Sequence, residues 1–234
     1  MNFDHQTSPA DVPAYPASEV ARILVVPPST IKAWSFGHKH SDGRPGRFRS
    51  VITPADAKRR LLSFANLCEL HVLASIRRRH RVPLPAVRDS LAFVSKELEK
   101  PHPLIAQQFM TNGVDLFVKH AGQLLNTSKQ GQQALRGDFE QALLRIEWSE
   151  QGTPVRLFPF TRSSPELGNQ PRAVVIDPRL SFGRPVLARA GVTTGVIEDR
   201  FNAGDAPDEM AEDYGVEEAD IWEAIRFERY LAAA

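Results

Sequence analysis

The chain has 234 residues and 42% of them are hydrophobic, which is enough for one large domain or two small ones without disulfides. Its single cysteine cannot form an internal disulfide, and no apolar run reaches the length of a membrane span, so we expect a cytoplasmic protein without a membrane partner. The net charge of +1 excludes neither nucleic acid nor protein as a partner.

The charge is distributed unevenly along the chain. Residues 1–100 carry 16 Lys and Arg against 9 Asp and Glu, residues 101–170 carry 6 against 6, and residues 171–234 carry 7 against 13. A basic half suits a polyanion because neutralising phosphates releases counterions, and an acidic half is repelled from the same surface. The alternative is that the two oppositely charged ends attract each other within the chain.

Residues 1–14 have neither a basic start nor the apolar run of a signal peptide, and they predict a disordered lead-in. The spacing of Val20 and Leu24 then predicts a short helix from Ala17 to Leu24. The prolines at 27 and 28 must end it, and they favour a second helix with Pro28 at its first position. In that helix Ile31 and Trp34 face the first helix, while three polar residues point outward: Ser29, Thr30 and Lys32.

Two short helices around a tight turn form the geometry that places a recognition helix in the major groove. The first 60 residues resemble the MerR-like winged helix-turn-helix family. The residues that carry the resemblance are Tyr15, Glu19-Val20-Ala21, Val26, Ser29-Thr30-Ile31 and Trp34. The chain departs from that family at Pro27, where a small polar capping residue is usual. The resemblance implies sequence-specific binding to duplex DNA.

The loop from Ser35 to Arg49 is typical of a wing. It contains three glycines and a proline that set a turn, and four basic residues suited to phosphates or the minor groove, Lys39, Arg44, Arg47 and Arg49. In isolation such a loop is better interpreted as a solvated basic surface. Beside the helix-turn-helix pattern we interpret it as a DNA contact.

The pattern from Thr53 to Asp56 predicts the start of a further helix, with Thr53 as its cap and Pro54 in its first turn. A longer helix is expected from Ser63, and another from Leu84 to Lys100. Together they predict a dimer contact, because helix-turn-helix proteins commonly bind inverted repeats as two-fold pairs. The pair Cys68 and His71 is too small a set to hold a metal, and we expect no cofactor.

The middle of the chain, residues 101–160, predicts a small α+β region. Alternating residues around Ala121-Gly122 favour a hairpin, residues 130–147 have helical periodicity, and residues 155–160 favour a strand. Two alternatives stay open for this region. It either covers the hairpin with a helix or holds a ligand, as the effector domains of MerR-like regulators do.

A polar linker at residues 161–172 leads to a further pattern in residues 173–234. The pattern begins with Val174-Val175-Ile176-Asp177-Pro178, continues through Phe182-Gly183-Arg184-Pro185, and ends with the acidic helical segments 204–214 and 216–225. In this pattern the chain resembles an antitoxin-associated family of domains of unknown function, numbered 433. Phe182 stands where that family usually has a glycine. The resemblance implies a strand followed by a three-helix unit of helix-turn-helix topology.

The acidic residues of this module argue against a second DNA site, because they are repelled by phosphates. They are Asp208, Glu209, Glu212, Asp213, Glu217, Glu218, Asp220 and Glu223. The family resembles VapB-type antitoxins that accompany PIN-like ribonuclease toxins, which implies a toxin as partner. The apolar candidates for that contact are Ile221, Trp222, Ile225 and Phe227.

The sequence thus predicts a mainly α fold with small β elements. Residues 15–100 are expected to form a winged helix-turn-helix with dimerisation helices, and residues 173–234 an antitoxin-like C-terminal module. The predicted function is a nucleoid-associated, homodimeric antitoxin that represses its own operator and neutralises a PIN-like toxin. The alternative is a MerR-like, ligand-responsive regulator without a toxin partner. We expect no enzyme, because the chain lacks a phosphate loop or nucleophile elbow.

Overall fold

The structure, a computed structural model, describes residues 8–39, 47–80, 83–98, 102–106, 113–125, 128–162 and 170–232. Within these residues the chain is mainly helical, with antiparallel sheets of only two strands each. The predicted mainly α fold with small β elements is therefore confirmed. No helix in this part of the chain is long and apolar enough to cross a bilayer.

The N-terminal part forms the predicted helix-turn-helix. Its elements are β1 (Tyr15–Pro16), α1 (Ala17–Leu24), α2 (Pro28–Phe36), β2 (His38–Lys39), β3 (Arg47–Phe48), β4 (Leu61–Leu62) and α3 (Phe64–His80). Antiparallel pairing of β1 with β4 ties the start of α1 to the start of α3. Val25 ends α1 in the left-handed region, with φ 51°, and the two prolines that follow redirect the chain into α2.

The predicted helix from Ser63 is confirmed, and it is the central helix of the molecule. Its buried side chains include Leu67, Leu70 and Leu73, none of which is exposed. Ser63 and Asn66 cap its N-terminus reciprocally: Ser63 Oγ accepts from the amide of Asn66, and Asn66 Oδ1 accepts from the amide of Ser63, both at 3.2 Å. This exchange satisfies two amides that the helix itself leaves free.

The predicted helix start at residues 53–56 is wrong. Asp56 and Leu61 instead exchange two backbone hydrogen bonds of 3.0 Å across a tight turn. Asn66 holds the segment before the turn, because its Nδ2 donates to the carbonyl of Thr53 at 2.8 Å and its Oδ1 accepts from the amide of Ala55 at 2.9 Å. A side chain from the next helix thus satisfies backbone groups that a local helix would have paired internally.

The middle of the chain is more helical than its sequence pattern indicates. It contains α4 (Leu84–Leu98), a 3-10 turn (Pro103–Ile105), α5 (Val114–Leu125), α6 (Lys129–Leu143), β5 (Ile146–Trp148) and β6 (Pro154–Leu157). The hairpin expected around Ala121-Gly122 is wrong, because those residues lie within α5. The buried residues of α5 recur at helical spacing, and Phe117 packs edge-on against Phe139 of α6 at 4.9 Å.

The C-terminal part forms the predicted strand and three-helix unit. Its elements are β7 (Val174–Val175), β8 (Val186–Leu187), α7 (Thr194–Ala203), α8 (Pro207–Tyr214) and α9 (Glu218–Ala232). A small core of their own joins the three helices through Ile197, Met210, Ile221 and Ile225. The helices end at Gly204 and Gly215, both left-handed, as helix C-termini commonly do.

The main hydrophobic core extends from Ala10 to Ile176, so the N-terminal and middle parts of the chain share one interior, to which the C-terminal part contributes Ile176. Ala10 is 2% exposed and its carbonyl accepts from the amide of Ala65 at 2.8 Å, so residues 8–14 are ordered, in contrast to the disordered lead-in predicted for residues 1–14. Residues 1–7 of that prediction lie outside the described residues. Leu157 and Ile176 exchange backbone hydrogen bonds of 3.0 and 2.8 Å. The C-terminal part therefore joins the rest through a shared strand edge as well as through the chain.

Candidate nucleic-acid interface and partner-binding module

The recognition helix α2 presents a polar edge to solvent and an apolar face to α1. Ile31 and Trp34 are buried, whereas Ser29 and Lys32 are exposed and Thr30 is half-buried. Pro28 occupies the first turn, and no side chain caps the helix at Pro27, the position at which the chain departs from the small polar capping residue usual in the MerR-like family. The residues predicted to point outward thus lie on the solvent-facing side of α2. In helix-turn-helix proteins that bind DNA, this side of the second helix faces the base edges.

The wing begins as a two-strand hairpin directly after α2. In its register Lys39 lies opposite Arg47, and the amide of Val51 donates to the carbonyl of Trp34 at 2.6 Å. Arg49 is exposed. Arg44 lies outside the described residues, as do the side chains of Lys39 and Arg47. The hairpin is therefore fastened to the recognition helix at its base, which fixes where its basic residues emerge.

A second basic element, which the sequence reasoning missed, lies at residues 57–60; we call it the basic turn. Lys58, Arg59 and Arg60 are all exposed, and the amide of Arg59 donates to Asp56 Oδ1 at 2.8 Å. Arg60 adopts a left-handed φ of 57°, and its guanidinium lies 4.5 Å from the ring centroid of Phe36, the last residue of α2. The run of three basic residues was a usable signal, but the helix predicted at this point concealed the turn.

A hydrogen-bonded pair of titratable side chains joins the 3-10 turn to α3. His102 Nδ1 is 2.9 Å from Glu69 Oε2, and Glu69 is 2% exposed on α3. Burial raises the pKa of Glu69 and the hydrogen bond with His102 opposes that rise, while the same bond raises the pKa of His102. The pair holds the 3-10 turn against α3, beside a cleft that Arg49 and Arg88 also line.

The acidic surface predicted on the C-terminal module is largely present. Six of its residues are exposed, Asp208, Glu209, Glu212, Asp213, Glu217 and Glu218, and Asp220 is half-buried. Glu223 differs because it is buried and binds Thr161, Arg162 and Arg226. Burial by itself raises the pKa of Glu223, but hydrogen bonds from Arg162 and Thr161 bring it below its usual value. Glu223 therefore anchors α9 to the preceding segment and does not belong to the surface.

Three of the four predicted partner-binding residues lie in the interior. Ile221 and Ile225 belong to the core of the three-helix unit, and Phe227 packs against Val174 and Val25. Because at most 1% of each is exposed, they are not available as surface anchors, and their assignment to the contact is corrected. Trp222 is 39% exposed, stands edge-on to Phe201 at 5.6 Å and donates its indole N–H to Glu218 at 2.9 Å.

The C-terminal module is docked onto the recognition unit. Glu228 of α9 accepts from Arg22 of α1 at 3.2 Å and also binds Thr194 of α7. Tyr15 donates its hydroxyl to the carbonyl of Gly183 at 3.2 Å, and burial raises the pKa of that tyrosine. The helix that supports α2 is thus held directly by the module expected to bind a protein partner.

Neither Cys68 nor His71 belongs to a metal-ligand set. Cys68 is buried, and burial raises the pKa of its thiol. His71 is buried and stacks on Phe160 at 4.9 Å between ring centroids. Across the described residues, no group of three or more His, Cys, Asp or Glu side chains is arranged to hold an ion.

Known domain families match two separate parts of this architecture. Residues 13–91 match the family described as "Putative DNA-binding HTH domain", and residues 174–227 match the family described as "Protein of unknown function (DUF433)". The first range spans α1, α2, the wing and α3, and the second spans β7 to most of α9. Two separate parts of the chain are therefore each similar to a known domain family, and the family that the N-terminal part matches is described as DNA-binding.

The resemblance to a VapB-type antitoxin is confirmed. The chain is 28% identical over 235 residues to "Putative antitoxin VapB45" of Mycobacterium tuberculosis (strain ATCC 25618 / H37Rv), across 92% of this chain and 93% of that protein. It also matches the crystal structure of Rv2018 from Mycobacterium tuberculosis with a TM-score of 0.66 and 24% identity, across 97% of this chain and 100% of that one. The second likeness confirms the fold.

Proposed function

We propose that the chain is the antitoxin of a toxin-antitoxin pair, which represses its own operator through the helix-turn-helix and neutralises a PIN-like ribonuclease through its C-terminal module. The observation that carries the proposal is the direct docking of an acidic module on a basic recognition unit. The name of the relative that matches nearly the full length supports the antitoxin role. Co-expression of the chain with the protein encoded by the adjacent gene tests the proposed antitoxin function.

In this proposal, DNA contacts are divided between α2 and the basic elements beside it. Ser29, Thr30 and Lys32 face base edges, where sequence is read. Phosphates are neutralised by Lys39, Arg44, Arg47 and Arg49 of the wing region, and by the basic turn. The basic turn is included because the guanidinium of Arg60 stacks on Phe36, the last residue of α2. We therefore expect Lys58 and Arg59 of the same turn to lie beside the recognition helix.

We further propose a homodimer bound to an inverted-repeat operator. One recognition helix of nine residues contacts too few base pairs for useful specificity, and two-fold pairing doubles the site. Light scattering at micromolar concentration measures the mass in solution, and the same measurement with operator DNA gives the stoichiometry. A monomer under both conditions contradicts the dimer without affecting the other proposals.

On the toxin side, Trp222 is an exposed aromatic residue on α9, and its indole N–H donates to the carboxylate of Glu218. We expect Trp222→Ala to weaken toxin binding by roughly 30-fold, because truncated aromatic anchors commonly cost about 2 kcal/mol or more. Operator binding should stay unchanged, since the residue lies on the three-helix unit and not on α2. Calorimetry with the toxin and fluorescence anisotropy with the operator give the two affinities.

The matched control is Leu144→Ala, which removes another exposed apolar side chain (58% exposed) outside the module. It should leave both affinities unchanged. If Trp222→Ala lowers both affinities together, the residue acts through folding. If it lowers neither, the toxin contact lies elsewhere on the module.

A further inference from the structure

One loop of the C-terminal module presents a phenylalanine to solvent in a strained conformation. Phe182 is 95% exposed, and both it and Ser181 adopt left-handed backbone angles, with φ 57° and 48°. Such angles favour glycine and carry a cost in free energy for other residues. Leu180, beside them, is 41% exposed. The loop thus combines two unfavourable features, an exposed aromatic ring and a strained backbone.

Hydrogen bonds nevertheless hold the loop in place on both sides. The carboxylate of Asp177, almost fully buried, accepts from the amide of Arg179 at 2.9 Å and from its guanidinium at 3.0 and 2.9 Å. On the other side, the carbonyl of Gly183 accepts from the Tyr15 hydroxyl at 3.2 Å. A Cβ at Gly183 would lie 2.0 Å from that hydroxyl, so only glycine permits this approach. The tip is therefore held in position from both ends.

Strained, over-determined backbone in a non-glycine residue points to a functional constraint, and here the ring makes no packing contact that offsets the strain. We propose that Phe182 is an anchor that inserts into an apolar pocket with an acidic rim on the toxin. This inference rests on the proposed function and names a contact surface for it. Leu180 enlarges the apolar tip, and the exposed Arg179 and Arg184 flank it with positive charge.

The surroundings favour a protein over DNA as the occupant. Glu19, Glu198 and Asp199 line the groove that begins at Arg184, and their carboxylates repel phosphates. A protein pocket can place its acidic groups against the two arginines and keep its remaining surface away from that groove. Combined with the acidic face of α8 and α9, this basic tip gives the module two contacts of opposite charge, which fix the orientation of one partner.

The test compares Phe182→Gly with Phe182→Ala in the full chain. The glycine variant relieves the strain, so we expect its melting temperature to equal or exceed that of the wild type, while its affinity for the toxin falls at least tenfold. The alanine variant keeps the strained backbone and loses the ring, so its toxin affinity should fall equally without a gain in melting temperature. Leu124→Ala, which trims another exposed side chain (48%), is the control and should change neither quantity.

The probe is the purified protein encoded by the adjacent gene, measured by calorimetry, with operator affinity and molecular mass determined in parallel. Unchanged toxin affinity in both Phe182 variants overturns the proposal while leaving the antitoxin function intact. A loss of operator affinity, or a change in oligomeric mass, instead makes the tip a DNA contact or a contact between copies, and either outcome overturns it. If the wild-type chain does not bind the probe, the antitoxin function fails, and this inference with it.

Discussion

Replacing Lys39, Arg44, Arg47 and Arg49 together with alanine is expected to weaken operator binding roughly 100-fold near physiological salt, because each phosphate contact releases condensed counterions. The slope of log affinity against log salt should become shallower by up to about 3.6, since each contact contributes about 0.9. Fluorescence anisotropy across a salt series measures both quantities. An unchanged affinity and slope would remove the wing from the DNA interface.

The basic turn provides an internal comparison for the same experiment. Lys58→Ala with Arg59→Ala should reduce the slope by up to about 1.8, half of the wing effect, if both residues contact phosphates. Arg60 is kept because its stacking on Phe36 has a structural role. The control pair, Lys119 and Lys129, is exposed on α5 and α6 and carries the same charge. Its removal should leave the slope unchanged.

Base-reading residues are expected to behave differently from these phosphate contacts. Thr30→Ala should change which operator sequences are preferred and leave the salt slope nearly constant, because base-edge contacts carry sequence information and phosphate contacts do not. Selection from a randomised operator pool measures the preference directly. A uniform loss across all sequences would assign Thr30 to positioning.

The parts of the fold that could be predicted are those in which local signals agree. Prolines at 27 and 28 end α1 and begin α2 whatever surrounds them, because their rings remove amide protons and fix φ. The three-helix unit has apolar residues at helical spacing between glycine stops. For these elements, tertiary packing reinforces a preference that the chain already has.

The errors arise where distant residues decide the conformation. Thr53 to Asp56 has the composition of a helix start, and Asn66 converts it to an extended segment by satisfying its backbone. In α5, five-residue stretches fit a strand as well as a helix, and only the longer repeat through Val114, Phe117 and Ala121 discriminates between them. The strain at Phe182 was not predicted, although the glycine usual at this position in the family is the residue that best tolerates a left-handed φ.

The candidate partner residues show a different limit. Apolar character alone does not separate an interface anchor from a core residue, and Ile221 and Ile225 recur one turn apart on the side of α9 that faces α7 and α8. This spacing of one helical turn assigns Ile221 and Ile225 to a buried apolar face of α9, and Trp222 does not lie on that face. The spacing was therefore sufficient to assign Ile221 and Ile225 to the interior and Trp222 to the surface.

Because the core is shared, point substitutions are the means of separating DNA binding from toxin binding. A chain ending at Arg162 loses Ile176, which belongs to the main core and pairs with Leu157, and it also loses two of the four carbonyls that Arg145 binds. Such a truncation is expected to expose apolar surface of the remaining part, and its effects on the two activities would not be independent.

Among the substitutions proposed here, removal of the Arg145 side chain should lower the free energy of unfolding most. Its guanidinium is 4% exposed and donates to four carbonyls, those of Phe158, Pro159, Gln170 and Pro171, at 2.7 to 3.2 Å. Burial, with a smaller contribution from nearby Arg172, lowers the pKa of Arg145 to about 10, so the group stays charged at neutral pH. It joins the end of β6 to the segment that leads into β7.

We expect Arg145→Ala to lower the free energy of unfolding by about 4 kcal/mol, because it leaves several carbonyls without donors and opens a cavity. The free energy of unfolding of Arg145→Lys should lie between those of the wild type and of Arg145→Ala, because a lysine keeps the charge but lacks the planar guanidinium that reaches four acceptors. Urea denaturation followed by tryptophan fluorescence measures both variants.

Arg172→Ala is the matched control. Arg172 is exposed, donates to the carbonyl of Leu144 at 2.7 Å and lies 5.2 Å from the Phe158 ring centroid, so its removal should cost only about 1 kcal/mol. If Arg145→Ala costs no more than this control, solvent reaches the four carbonyls, and the guanidinium does not hold the two halves of the chain together. A large loss in Arg145→Ala alone means that the buried guanidinium joins the segment after β6 to the segment that leads into β7.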